Sequence, residues 1–267
     1  MNTYSGLIVL LSLAVPCLLV PLPKEHSGGI AIVNPGHTDI RTHSYTVAIL
    51  TGMDLLGGGV LVKQNWVLTA ASVVHGFKKE DIVVRVGSNS GYYDGHLRNV
   101  SRIIEYPDYS TNQSYNLALL KLDRPVFYRV AAHISYLARV PFQDDRSYGN
   151  LTGYGQETYD VTEYTNGPQL QIIGMELYSS SYCNHNFWSM SVPNIQFCAY
   201  ANDSGPCFGD VGDPLVKCVR PSQCELLGIY TGVNICQYNT PSTYMDIGQF
   251  YGWIQKNIGS KRTWSRT

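Results

Sequence analysis

Beyond its first 20 residues this chain has no apolar run long enough to cross a membrane. It also lacks an excess of charge of either sign: 19 Lys and Arg stand against 20 Asp and Glu, a formal net charge of −1. That balance implies neither a basic nucleic-acid surface nor an acidic tail. The basic end formed by Lys256, Lys261, Arg262 and Arg266 is short and reads as solvated tail. Seven histidines are present (His26, His37, His43, His75, His96, His133 and His185), with no His-x-x-x-His pair and no clustered Cys/His ligand set. No metal site and no cofactor is implied.

What is present begins with an apolar leader, Leu7 to Val20, interrupted by Pro16 and preceded by no acidic or basic residue. Its length and position suit a secretory signal peptide over residues 1–20, followed by a Pro/Gly-rich linker over 21–31. The mature chain is then expected to be soluble, secreted and extracellular. Cysteine usage agrees with that compartment. Of seven cysteines, Cys17 falls in the leader, and the other six are even in number, as a disulfide framework requires. Four Asn-x-Ser/Thr sequons, at Asn99, Asn112, Asn150 and Asn202, make surface glycosylation an expectation for a secreted chain.

Short β-rich runs recur between turn residues: 45–50, 59–62, 66–69, 82–86, 117–122, 170–177, 215–217, 226–231 and 243–246. Many short strands with Gly and Pro between them predict an all-β sandwich or barrel. Near the end, Ile247, Phe250, Ile254 and Ile258 recur at helical spacing, and Gly259 is placed to stop that helix.

Three segments carry chemistry. Gly209-Asp210-Val211-Gly212-Asp213-Pro214 resembles the loop that presents the nucleophilic serine of chymotrypsin/trypsin-type serine proteases, with valine at the serine position. Gly57 to Val73, running through Trp66 into Thr69-Ala70-Ala71-Ser72-Val73, is similar to the family block ending Thr-Ala-Ala-His-Cys. Ser72 there stands at the general-base histidine. Tyr115-Asn116-Leu117-Ala118-Leu119-Leu120-Lys121-Leu122 resembles the Asp-Ile-Ala-Leu-Leu-Lys-Leu strand, and Asn116 stands at the aspartate. The segments fall in family order, with 44 residues from Ser72 to Asn116 and 95 from Asn116 to Val211. The resemblance covers about residues 32 to 256.

Peptide hydrolysis by such a constellation needs a nucleophile, a base touching it, and a carboxylate fixing the base's tautomer. Valine has no hydroxyl, and neither serine nor asparagine can act as the base or the orienting anion. In enzymes of this kind the Asp-to-Asn change alone lowers turnover about 10⁴-fold. The backbone at Gly209 and Val211 could still form an oxyanion hole, which together with substrate binding is worth about 10³–10⁴ over water at best. The resemblance therefore implies a protease homologue without catalysis: Ser72, Asn116 and Val211 are degenerate triad positions.

The same resemblance implies two six-stranded Greek-key β-barrels of chymotrypsin type with a C-terminal helix. Its boundaries would be a domain over 32–259, with the first barrel at about 32–145, the second at about 146–246, the helix at 247–258, and a tail at 260–267. It implies the pairs Cys183–Cys198 and Cys207–Cys236, which leaves Cys218–Cys224. Gly57 and Val73 stand where the family has a further disulfide, and Gly149 stands at another family cysteine. Ile32-Val33-Asn34-Pro35 after Ala31 replaces the activation sequence, so no new ammonium is expected to form for Asp210. Gly205 stands where a trypsin-like pocket keeps its aspartate, and Gly232 where the pocket wall is usually aromatic. Asp213 replaces a glycine, and the simplest expectation is a local salt bridge or exposure by rearrangement of its loop.

The reading that follows is a secreted, non-catalytic serine protease homologue that acts by protein binding in an extracellular regulatory network. A seminal-fluid or haemolymph immune setting fits, the former slightly favoured. Its expected partners are extracellular proteins, active proteases or other secreted proteins among them; no nucleic acid or membrane span is expected. The alternatives are a protease or esterase with a relocated active site, and a structural secretory component.

Overall fold

The computed structural model describes residues 36–156, 169–187, 190–220, 223–234, 236–237 and 239–259. The leader with Cys17, the linker, the segment Ala31 to Pro35 and the tail over 260–267 lie outside the described residues.

Fourteen strands are described. After the two-residue β1 (Gly36–His37) come β2 (Thr46–Thr51), β3 (Asp54–Lys63), β4 (Trp66–Thr69), β5 (Val83–Val86), β6 (His96–Glu105) and β7 (Ala118–Leu122). Strands β2 to β7 close into a barrel in the order β2-β3-β4-β7-β6-β5, sealed by pairing of β2 with β5 from Val47↔Val86 to Leu50↔Val83. The strands bury apolar residues on both faces, and Val47, Ile49, Leu61, Leu68, Ile82, Leu119 and Leu120 are fully buried. Each such side chain contributes about 1.5–3 kcal/mol relative to exposure.

The second ring comprises β9 (Ser147–Gly153), β10 (Gln171–Tyr178), β11 (Gln196–Tyr200), β12 (Pro214–Arg220), β13 (Gln223–Tyr230) and β14 (Ser242–Asp246). It runs β9-β10-β11-β14-β13-β12 and returns to β9 through the register Leu215↔Leu151. Its core is aromatic, with Phe197 stacked on Tyr244 at 5.6 Å and Phe142 against Phe197 at 4.7 Å. Two closed six-stranded antiparallel barrels are thus the architecture of this chain. β1, expected with the first barrel, instead pairs with β10 of the second. β8 (Tyr136–Leu137), in the stretch between the barrels, pairs in parallel with β13.

Three α-helices are found among the described residues: α1 (Ala71–Val74), α2 (Ser180–Asn186) and α3 (Ile247–Ile258). α2 starts where the Ser179 hydroxyl accepts the Tyr182 amide at 3.2 Å. α3 starts at Asp246, whose carboxylate accepts the amides of Gly248 at 3.0 Å and of Phe142 at 2.9 Å. Its apolar face, Ile247, Phe250, Ile254 and Ile258, is buried in the core, so the periodicity marks packing rather than an open groove. Among the described residues no helix is long and apolar enough to cross a membrane.

Disulfides join Cys183 to Cys198, Cys207 to Cys236 and Cys218 to Cys224. The first ties α2 to β11, and the last closes the β12–β13 hairpin. Three disulfides fit an extracellular protein.

Candidate functional site

Pairing of β4 with β7 sets Thr69 opposite Ala118. Just past that pair, α1 carries Ser72 outward, while Asn116 enters the strand on the buried side. The two then meet. The Ser72 amide donates to Asn116 Oδ1 at 2.8 Å, and Asn116 Nδ2 donates to Ser72 Oγ at 3.0 Å. The same Nδ2 reaches the Thr231 carbonyl at 3.2 Å, across to the second barrel. Asn116 so satisfies three groups from two barrels, and its amide suits this because it both donates and accepts.

Val211 sits in the turn before β12. Gly209 and Gly212 flank it with φ of 91° and 93°, a left-handed backbone that glycine adopts without steric cost. The Val211 carbonyl accepts the Gly58 amide at 2.8 Å, and the Gly212 amide donates to the Tyr230 carbonyl at 3.0 Å. The Cys207–Cys236 disulfide pins the start of this turn. Val211 is half-buried and packs on the core. A Cβ on Gly57 would lie 2.4 Å from the Val211 carbonyl oxygen and 2.8 Å from Val73 Cγ2, so Val73 and Val211 close in on the space that glycine leaves.

His75 caps the C-terminal end of α1. Its Nδ1 lies 3.1 Å from Glu105, and its ring meets Tyr109 edge-on at 5.3 Å. This His–carboxylate pair was not legible in the sequence, because 30 residues separate its members and no motif links them. Among the described residues the Ser72 hydroxyl bonds to Asn116, not to His75. No group of His, Cys, Asp and Glu among the described residues is arranged to hold a metal ion.

Two aspartates lie under the Val211 turn. Asp210 accepts the Gly155 amide at 2.8 Å and the Cys207 amide at 2.7 Å. Asp213 is 0 % exposed, and neither of its carboxyl oxygens has a hydrogen-bond donor among the described residues. The expectation of a salt bridge or an exposed side chain at Asp213 is therefore corrected. The turn keeps its tight geometry, with the Tyr230 amide donating to the Asp213 carbonyl at 3.0 Å, so the side chain has no route outward. Burial, and then the charge of Asp210, push the Asp213 carboxyl well above its ordinary range. Burial also raises Asp210, to about 6, against the hydrogen bonds it accepts.

The pocket positions are placed as follows. Gly205 is buried, and Gly232 has φ of 86° beside Thr231, whose hydroxyl bonds to the Thr243 carbonyl at 2.9 Å. Of the sequons, Asn99, Asn112 and Asn202 are exposed, whereas Asn150 is half-buried in β9 between Val216 and Gly174.

A family profile described as Trypsin matches residues 32–254. Among curated proteins the chain is 28% identical over 251 residues to a trypsin of Sarcophaga bullata, covering 91% of this chain and 94% of that protein. It is 29% identical over 262 residues to human kallikrein-7, covering 94% and 98%. Among solved structures, the scabies mite inactivated protease paralogue S-D1 superposes with a TM-score of 0.74 at 20% identity, covering 86% of this chain and 98% of that one. With a family match over most of its length, on two closed barrels, this chain belongs to the trypsin family.

Proposed function

We propose that this chain is a secreted, non-catalytic trypsin-family protein that acts by binding extracellular proteins in a regulatory network of the reproductive or immune kind. One observation carries the reading: the three positions that match the catalytic triad hold Ser72, Asn116 and Val211. Ser72 and Asn116 bond to each other, which leaves no imidazole between a nucleophile and a carboxylate. Loops on a rigid scaffold carry recognition whether or not chemistry survives beside them. The exposed segments around Asn112 and Asn202, and the exposed Phe208 ahead of the Val211 turn, supply such a surface.

The test is direct. Purified secreted protein should neither cleave a broad peptide library nor react with a fluorophosphonate probe. Specific labelling that survives removal of contaminating proteases would establish a relocated active site instead. For the binding role, a Ser72→Ala, Asn116→Ala, Val211→Ala triple variant, secreted normally, should rescue a null phenotype. Failure of a well-folded triple variant would confine function to the cleft itself.

A further inference from the structure

The buried Asp213 carboxyl is not explained by the family fold or by a binding surface. Its Oδ1 lies 1.5 Å from where a Cβ on Gly58 of β3 would stand, and its Oδ2 lies 1.4 Å from that of Gly153 in β9. β3 belongs to the first barrel and β9 to the second. The carboxyl is thus wedged into the seam between barrels, in space that only two glycines can give. A Cβ on Gly153 would also lie 2.9 Å from Asp210 Oδ1, so the two acids share one small chamber.

Among the described residues no cation serves that chamber. Among the described residues, Tyr154 just after β9, Tyr230 of β13 and Tyr244 of β14 are the titratable side chains that face it. Their hydroxyls are committed elsewhere: Tyr154 to the Ser88 carbonyl at 2.7 Å, Tyr230 to the Val233 carbonyl at 3.0 Å, and Tyr244 to the Ser242 hydroxyl at 3.0 Å. Arg85 of β5 acts on Tyr154, and its guanidinium is bound to the carbonyls of Gly91 and Asp94. Two adjacent ionised carboxylates, buried with no counter-charge among the described residues, would repel and lose solvation. A single proton removes both faults. Asp210 already accepts two backbone amides, which favours its charged form, whereas Asp213 accepts none. The proton belongs on Asp213, as an O–H donated to Asp210.

We propose that Asp210 and Asp213 form a proton-binding site in the seam between the barrels. One proton, carried on Asp213 and donated to Asp210, locks the turn that bears Val211, and its loss at rising pH loosens that turn.

The sign follows from linkage. An acid whose folded affinity for its proton exceeds its unfolded one adds stability that is complete below the ordinary aspartate range. That stability is lost as pH rises through the raised folded value. Buried His43 acts in the opposite sense, because burial lowers its affinity for a proton and destabilises the fold as pH falls. Asp246, raised by burial to about 6, acts in the same sense as Asp213, and comparison with an Asp213 variant separates the aspartate pair from both.

The experiment is thermal unfolding of the secreted full chain between about pH 5 and about pH 9, wild type beside Asp213→Asn. The carboxamide donates to Asp210 at every pH, so the variant should lose the fall in melting temperature on the alkaline side that the wild type shows. Equal slopes in the two proteins would overturn the proposal. If the variant does not fold, infrared spectroscopy of the wild type decides. A protonated-carboxyl stretch should be present at neutral pH in the folded protein and absent after unfolding. A folded protein without that band would also overturn the proposal.

Discussion

Asn116 and Ser72 hold each other by two reciprocal hydrogen bonds, with the Ser72 amide donating to Oδ1 at 2.8 Å and Nδ2 donating to Oγ at 3.0 Å. Nδ2 also reaches the Thr231 carbonyl at 3.2 Å. A carboxylate at position 116 would face that carbonyl with an oxygen, acceptor against acceptor. We therefore expect Asn116→Asp to destabilise the protein by about 1–3 kcal/mol at neutral pH, read from urea denaturation. Unchanged stability would mean that the Thr231 contact contributes little.

A serine at position 211 should not by itself confer reactivity. Val211→Ser introduces a hydroxyl, but position 72 offers no imidazole to take its proton, and a serine without its base is a weak nucleophile. Fluorophosphonate labelling of Val211→Ser should match the wild-type blank. Labelling that appears only in the variant would reveal a base supplied from elsewhere.

The Cys207–Cys236 bridge holds the turn over the paired aspartates. Replacing both cysteines by alanine should cost about 2–5 kcal/mol, measured as a shift in the denaturation midpoint at constant slope. A shift below this range would mean that the surrounding hydrogen bonds fix the turn on their own.

Two glycines should respond oppositely to the same methyl group. At Gly57 a Cβ meets the Val211 carbonyl at 2.4 Å, so Gly57→Ala should destabilise by about 1–3 kcal/mol. At Gly252, inside α3, a Cβ meets nothing within 4 Å, so Gly252→Ala should stabilise by about 0.5–1 kcal/mol. Melting temperatures of the two variants should move in opposite directions.

Most of the barrel strands were legible as short β-rich runs set off by turn residues. β4 was expected at 66–69 and is found at Trp66–Thr69, and α3 follows its apolar spacing to Ile258. β6 gave no such signal. Its inward position 98 holds an arginine, buried with Nη1 on the Leu97 carbonyl, so a charged residue sits where alternation calls for an apolar one. α2 is short and polar and depends on its Ser179 cap. At the site, Ser72, Asn116 and Val211 stand out in the sequence because each lies in its own local motif. The fate of Asp213 does not, since it depends on Gly58 and Gly153, residues that the fold brings in from distant strands.

The surroundings of Gly57 leave no room for a cysteine side chain. A cysteine there would thrust its Cβ into the Val211 carbonyl and the Val73 methyls before it could find a partner thiol. A cysteine at position 73 alone would face a residue with no sulfur. Each single step leaves an unpaired thiol, and one of them also displaces the turn that now fills the gap. A bridge between positions 57 and 73 would therefore need both cysteines and a shift of the Val211 turn together.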